Sequence, residues 1–148
     1  MVAFTQLYTQ NDKITELSNV FRYLIQDRAM CDTRIACDVF FDYSKQVKEH
    51  MELVDRDLCG RLISHPDQAV KNTADRFLSG SSEIKRIFAD YLKEWCSHRK
   101  GELTIGDHSA FVQDTNEMFD LVLDRIQRET EHLYPLIRKL EGSEQQAA

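Results

Sequence analysis

Helix breakers are scarce in this chain. It has two prolines, Pro66 and Pro135, and five glycines in 148 residues, which predicts long helices with few interruptions. Sustained alternation of apolar and polar residues is missing as well, so no strands are expected. No apolar run nears the roughly eighteen residues that span a bilayer, and no membrane segment is expected. Positive charge is in deficit, with 19 Lys and Arg against 25 Asp and Glu for a net charge of −6. No basic patch offsets it, which argues against nucleic acid or an anionic membrane as a partner. The opening residues MVAFTQLYTQND lack a basic region followed by an apolar one. No secretory signal is read there, and a cytoplasmic location is expected. Cys31, Cys37, Cys59 and Cys96 lack the paired spacing of a zinc site. They are expected to be reduced and to behave as small apolar groups. There is no nucleophile with its base, no phosphate-cradling glycine loop and no nucleotide fingerprint, so an enzyme is not expected.

What is present suits a soluble globular protein. Apolar residues make up 42% and charged residues 30%, ordinary values for that class. The length fits one domain with a core that needs no staples. Residues 1–10 read as a lead-in, 11–141 as a four-helix unit and 142–148 as a disordered tail. Asn11 or Asp12 can cap a first helix that ends near Met30. Asp32 and Thr33 form a turn and a new cap, and a second helix runs from Arg34 to Ser64. Pro66 suits the first position of a third helix, which reaches Ser97. The run Ser79-Gly80-Ser81-Ser82 inside it holds poor helix formers and predicts a kink. A loop spans His98 to His108, and the cluster Lys93, Arg99 and Lys100 complements the C-terminus of the third helix. The fourth helix runs from Asp107 to Leu140, with Gly142 closing it. Four long helices with short connections imply an all-α, antiparallel up-down-up-down bundle.

Two stretches of this pattern carry titratable groups on apolar faces. On the fourth helix, drawn at about 100° per residue, Val112, Phe119, Val122, Ile126, Leu133 and Ile137 share an arc. Glu129 falls inside that arc, Arg125 at its edge, and Glu131 and His132 outside it. On the second helix His50 lies among Tyr43, Val47 and Val54. Asp57 and Arg61 share its face, and Asp55 lies round the side. The two stretches also echo each other. His50 aligns with Arg125, Val54 with Glu129, Leu58 with Leu133, Cys59 with Tyr134 and Gly60 with Pro135. That register suggests two helical hairpins related by pseudo-symmetry.

A histidine, an acid four residues on, then an apolar-aromatic pair and a proline on a bundle helix resembles the hemerythrin-like (HHE cation-binding) domain family. The resemblance implies a four-helix bundle and, in full members, a non-haem di-iron centre held by histidines and carboxylates. Those members bind or sense oxygen or nitric oxide, or assist iron–sulfur repair. Carried over by position, His50 matches the motif histidine of the second helix and Glu129 the acid of the last. Val54 stands where the second helix gives its bridging acid, and Arg125 where the last helix gives its histidine. The third helix lacks the family's histidine pair, and the first helix has no histidine.

This chain therefore reads as a divergent member with a degenerate site. His50 and Glu129 are the metal candidates, with Asp57 and Asp55 behind them. The expected substitute for the metal is a structural pair, Arg125 with Glu129, because a fixed cation at four-residue spacing offsets much of the cost of burying the acid. The implied cofactor is di-iron if the family site survives and otherwise none. The implied role is that of a regulatory or interaction module with a protein partner still to be identified, or of a homodimer. The alternatives are a metal-binding sensor or carrier with an unusual ligand set, and a redox role for Cys31, Cys37 or Cys59.

Overall fold

The computed structural model describes residues 3–97 and 102–147. The chain is all-α, apart from one pair of two-residue strands. Helix α1 spans Phe4–Ile25, α2 Arg28–Cys31 and α3 Arg34–Leu53. Helix α3 continues without a break into a π-helical segment, π1, at Val54–Cys59, and then into α4 at Gly60–Leu62. Helix α5 spans Gln68–Trp95, strand β1 Cys96–Ser97 and strand β2 Glu102–Leu103. Helix α6 at His108–Arg128 passes into a second π segment, π2, at Glu129–Leu133, and then into α7 at Tyr134–Ala147. His98, Arg99, Lys100 and Gly101, from the expected loop and its basic cluster, lie outside the described residues.

Caps explain most of the helix starts. Thr33 accepts the Ala36 N–H at 3.2 Å, Asp67 the Ala69 N–H at 2.9 Å and Asp107 the Ala110 N–H at 3.1 Å. Each satisfies an N–H that has no partner within its helix.

Several expected boundaries move. Helix α1 starts at Phe4 and not at Asn11 or Asp12, because Phe4 and Leu7 pack against Tyr134 and its neighbours. Helix α1 ends at Ile25, and Asp27 caps the separate turn α2. Pro66 stays outside α5, since Asp67 takes the cap. Helix α5 runs unbroken through Ser79-Gly80-Ser81-Ser82, where tertiary contacts of Gly80 and Ser81 outweigh local propensity. Gly142 does not adopt the left-handed conformation that closes a helix, and α7 continues to Ala147. The strands β1 and β2 pair antiparallel, Cys96 with Leu103. They are too short to leave an alternating pattern in the sequence.

The interior has two apolar clusters with a polar layer between them. One cluster gathers Ile14, Phe21, Phe40, Tyr43, Phe111 and Phe119 among others. The second gathers Leu7, Val54, Leu58, Val70, Leu133 and Tyr134 among others. Along every long helix the switch from one cluster to the other falls at or next to a buried polar residue. These are Asn11 on α1, His50 on α3, Ser81 on α5, and Arg125 with Glu129 on α6 and π2. The echo in the sequence is also an echo in burial. Buried residues recur in register as Phe40 and Thr115, Tyr43 and Met118, Val47 and Val122, His50 and Arg125, Val54 and Glu129, and Cys59 and Tyr134. Both π segments begin at matching positions, Val54 and Glu129. Among the described residues no helix is long and apolar enough to cross a membrane.

Candidate functional site

Glu129 is the centre of the polar layer and has no solvent exposure. Three donors from three elements converge on its carboxylate. His50 Nε2 on α3 donates to Oε1 at 2.7 Å. The Tyr134 hydroxyl on α7 donates to the same oxygen at 3.0 Å. Arg125 Nε on α6 donates to Oε2 at 2.8 Å. Burial pushes the Glu129 carboxyl up. The His50 hydrogen bond and charge, with the Arg125 guanidinium, more than offset this and hold it below the usual carboxylate range. The acid is thus held ionised inside the protein.

Arg125 uses its whole guanidinium. Besides Nε on Glu129, Nη1 donates to the Phe77 carbonyl at 2.8 Å and Nη2 to Ser81 Oγ at 3.0 Å, both on α5. Its plane lies over the Phe77 ring, 4.9 Å from the centroid. The approach is close enough that a Cβ on Gly80 would meet Nη1 at 3.0 Å. This explains a glycine inside a 28-residue helix: it makes room for the guanidinium against the α5 backbone. Ser81 passes the chain of bonds on, donating to Asp55 Oδ1 at 2.6 Å, and Lys85 Nζ reaches Asp55 Oδ2 at 3.3 Å. On the other side of Glu129, His50 Nδ1 lies 2.8 Å from Gln10 Oε1, and Asn11 Nδ2 donates to the Tyr134 hydroxyl at 3.3 Å.

The π segments decide which residues join. A π turn bonds residues five apart and advances roughly 80° per residue in place of about 100°. In π2 the Tyr134 N–H bonds the Glu129 carbonyl, which brings Tyr134 over Glu129. An ideal α-helix would place Tyr134 on a different face. In π1 the Gly60 N–H bonds the Asp55 carbonyl in the same way. The slower winding turns Leu58 and Leu62 inward and carries Asp57 and Arg61 off the His50 face. Asp57 therefore lies on the surface, its carboxyl held low by a 2.8 Å bond from Arg56 Nε. Arg61 pairs with Glu141 at 2.9 Å. Asp55, the acid read as lying round the side, is the one that enters the polar layer.

The structure thus brings together His50, Glu129, Arg125 and Asp55 and leaves Asp57 outside. The other histidines among the described residues are elsewhere. His65 accepts the Asp67 N–H, His108 donates to the Ile25 carbonyl, and His132 is exposed beside Glu131. Among the described residues no three or more His, Cys, Asp or Glu side chains gather as metal ligands. The donor chemistry is also wrong for a di-iron centre. Glu129 faces N–H and O–H donors, and the Arg125 guanidinium lies between it and Asp55, 4.0 Å from the latter. A cation pair does not fit there. Cys59 is buried, and burial pushes its thiol up to about 12, so it is not a thiolate poised for redox exchange.

Gln10, Asn11, Ser81, Lys85 and Tyr134 also belong to the layer, and none of them is a site candidate from the sequence. Signals for some were present. Phe4, Leu7, Asn11 and Ile14 are spaced three or four apart, as on a helix that starts before residue 11. Pro135 lacks an N–H and crowds the carbonyl four residues back, which marks the π2 turn that aims Tyr134. The chain matches no protein-family model, no curated protein and no solved structure.

Proposed function

We propose that this chain is an antiparallel four-helix bundle of hemerythrin-like architecture with a degenerate metal site, and that it works as a non-enzymatic interaction or regulatory module in the cytoplasm. Helix α1 packs on α3 and α6, and α5 packs on α6 and π1. Each apolar cluster draws on alternate ends of successive helices, as up-down-up-down chain direction requires.

The observation that carries the reading is the 2.8 Å contact of Arg125 with the fully buried Glu129. A fixed guanidinium supplies the positive charge that a metal would supply to a buried carboxylate. Glu129 is then a structural acid, and its partners rigidify the middle of the bundle.

Metal analysis after expression in iron-supplemented medium tests this. The expected result is iron far below one per chain and no near-ultraviolet oxo-bridge band. Two irons per chain with that band would overturn the reading. For the interaction role, a crosslinking pull-down is expected to return a specific protein. An empty result with both native and crosslinked chain counts against it.

A further inference from the structure

The helix seams are not equally closed. Helix α1 closes on α3 and α6, and α5 closes on α6 and π1. Between α3 and the second half of α5 the seam stays open as a groove of about 400 Å³. Val47, Met51, Ile84, Phe88 and Leu92 supply its apolar walls. The volume is in the range of small-molecule sites, which are mostly apolar with a few placed polar groups.

The rim carries two cations and one acid, Lys48, Lys85 and Glu52. Lys48 has no ion-pair partner among the described residues. Lys85 is 57% exposed and held to Asp55 only at 3.3 Å, which leaves it able to serve a second carboxylate. Ile84 to Leu92 spans about 12 Å along the helix axis at about 1.5 Å per residue. The groove is a mostly apolar trough of about that length. It suits a single extended alkyl chain of about ten carbons, at roughly 1.25 Å per bond along the chain.

We propose that this groove binds a single-chain amphipathic carboxylate of medium length, with the alkyl chain between α3 and α5 and the carboxylate on Lys48 and Lys85. Binding does not depend on the metal reading. It would give the module a ligand whose head group shares Lys85 with Asp55, one bond from Ser81 and two from Arg125.

Isothermal titration of the full chain with sodium decanoate, decan-1-ol and decyltrimethylammonium tests the proposal, with methyl NMR to locate the site. The expected result is saturable binding of one decanoate per chain, with shifts at Val47, Met51, Ile84 and Leu92. Ala89→Trp, placed on the groove wall, is expected to abolish it. The surface variant K48E, which leaves the core untouched, is expected to weaken decanoate about tenfold, the scale of one charged contact, and to leave decanol unchanged. Absence of saturable binding, or shifts confined to another part of the molecule, would overturn the proposal. So would equal affinity for the carboxylate and the quaternary amine, or unchanged binding by a natively folded Ala89→Trp variant.

Discussion

The two helix pairs of this protein share a register of buried residues and a π turn, and differ in charge. In the first, α1 carries Gln10 to His50 on α3, and π1 follows with Val54 and Cys59 turned inward. In the second, α5 carries Ser81 to Arg125 on α6, and π2 follows with Glu129 and Tyr134 turned inward. His50 and Arg125 each bond the preceding helix of their own hairpin and then meet on one carboxylate. The π turn itself needs no acid, since π1 forms around Val54 and Cys59. Glu129 is therefore a one-sided burden on a two-sided frame, and Arg125 and His50 are what make it tolerable.

Removing the cation should show this most strongly. Arg125→Met leaves Glu129 buried with only the His50 and Tyr134 bonds, and a loss of about 3–5 kcal/mol is expected, as for other broken buried pairs. Making the second hairpin resemble the first, with Arg125→Met and Glu129→Val together, should recover most of that loss. Urea denaturation of the single and double variants measures both. A double variant as unstable as the single one would show that Arg125 matters for its α5 contacts and not for the acid.

The acid limb of stability separates the hairpins next. Glu129 titrates below the usual carboxylate range when folded. Its contribution is therefore fully present above the ordinary carboxylate value of about 4 and is lost as pH falls through the lower folded value. Val54 contributes no such slope. Glu129→Gln should lower stability at neutral pH and flatten the decline below about pH 4. Chemical denaturation at stepped pH values would reveal it, and an unchanged slope would mean the buried acid is not held ionised.

How much of this was legible in the sequence depends on backbone regularity. The four long helices, the inward-facing His50 and Glu129 and the register between the two stretches follow from a 3.6-residue period, which holds up to Val54 and up to Glu129. Beyond those residues the period changes, and a regular wheel misassigns Asp55, Asp57, Arg61 and Tyr134. Pro135 marks one π turn, but nothing in VDRDLCG marks the other. Gly80 and Ser81 were misread for a different reason. Local propensity counts them as breakers, while their small size is what admits a side chain from another helix, and a single sequence does not show which side chain arrives.

Glycine offers a smaller test of the same contrast. Gly60 has ordinary room for a methyl group, with its nearest contact at 3.6 Å, whereas Gly80 meets Arg125 Nη1 at 3.0 Å. Gly60→Ala should stabilise by about 0.4–1 kcal/mol. Gly80→Ala should lose that gain, and about 1 kcal/mol more, by displacing a guanidinium pinned by three bonds. In an Arg125→Met background the sign should reverse and Gly80→Ala become stabilising. Thermal unfolding of the native chain, the two single variants and the double variant forms a double-mutant cycle, and additivity would sever Gly80 from Arg125.

The smallest expected effect lies at Tyr43, whose counterpart in the second hairpin is Met118. Tyr43 has no exposure, and its hydroxyl has no hydrogen-bond partner among the described residues. Its ring does the packing, 4.2 Å from the Phe119 centroid and stacked on Phe88 at 6.1 Å. Burial pushes its phenol upward, so the group is neutral at every ordinary pH. Tyr43→Phe keeps the ring and deletes an unsatisfied donor, making the first hairpin as apolar there as the second. The change should be neutral or stabilising by up to about 1 kcal/mol. A loss of similar size would mean the hydroxyl has a partner in solution, and Arg22 is the place to look. Its Nε is also buried without a partner among the described residues, and its charge is close enough to Tyr43 to oppose the upward push.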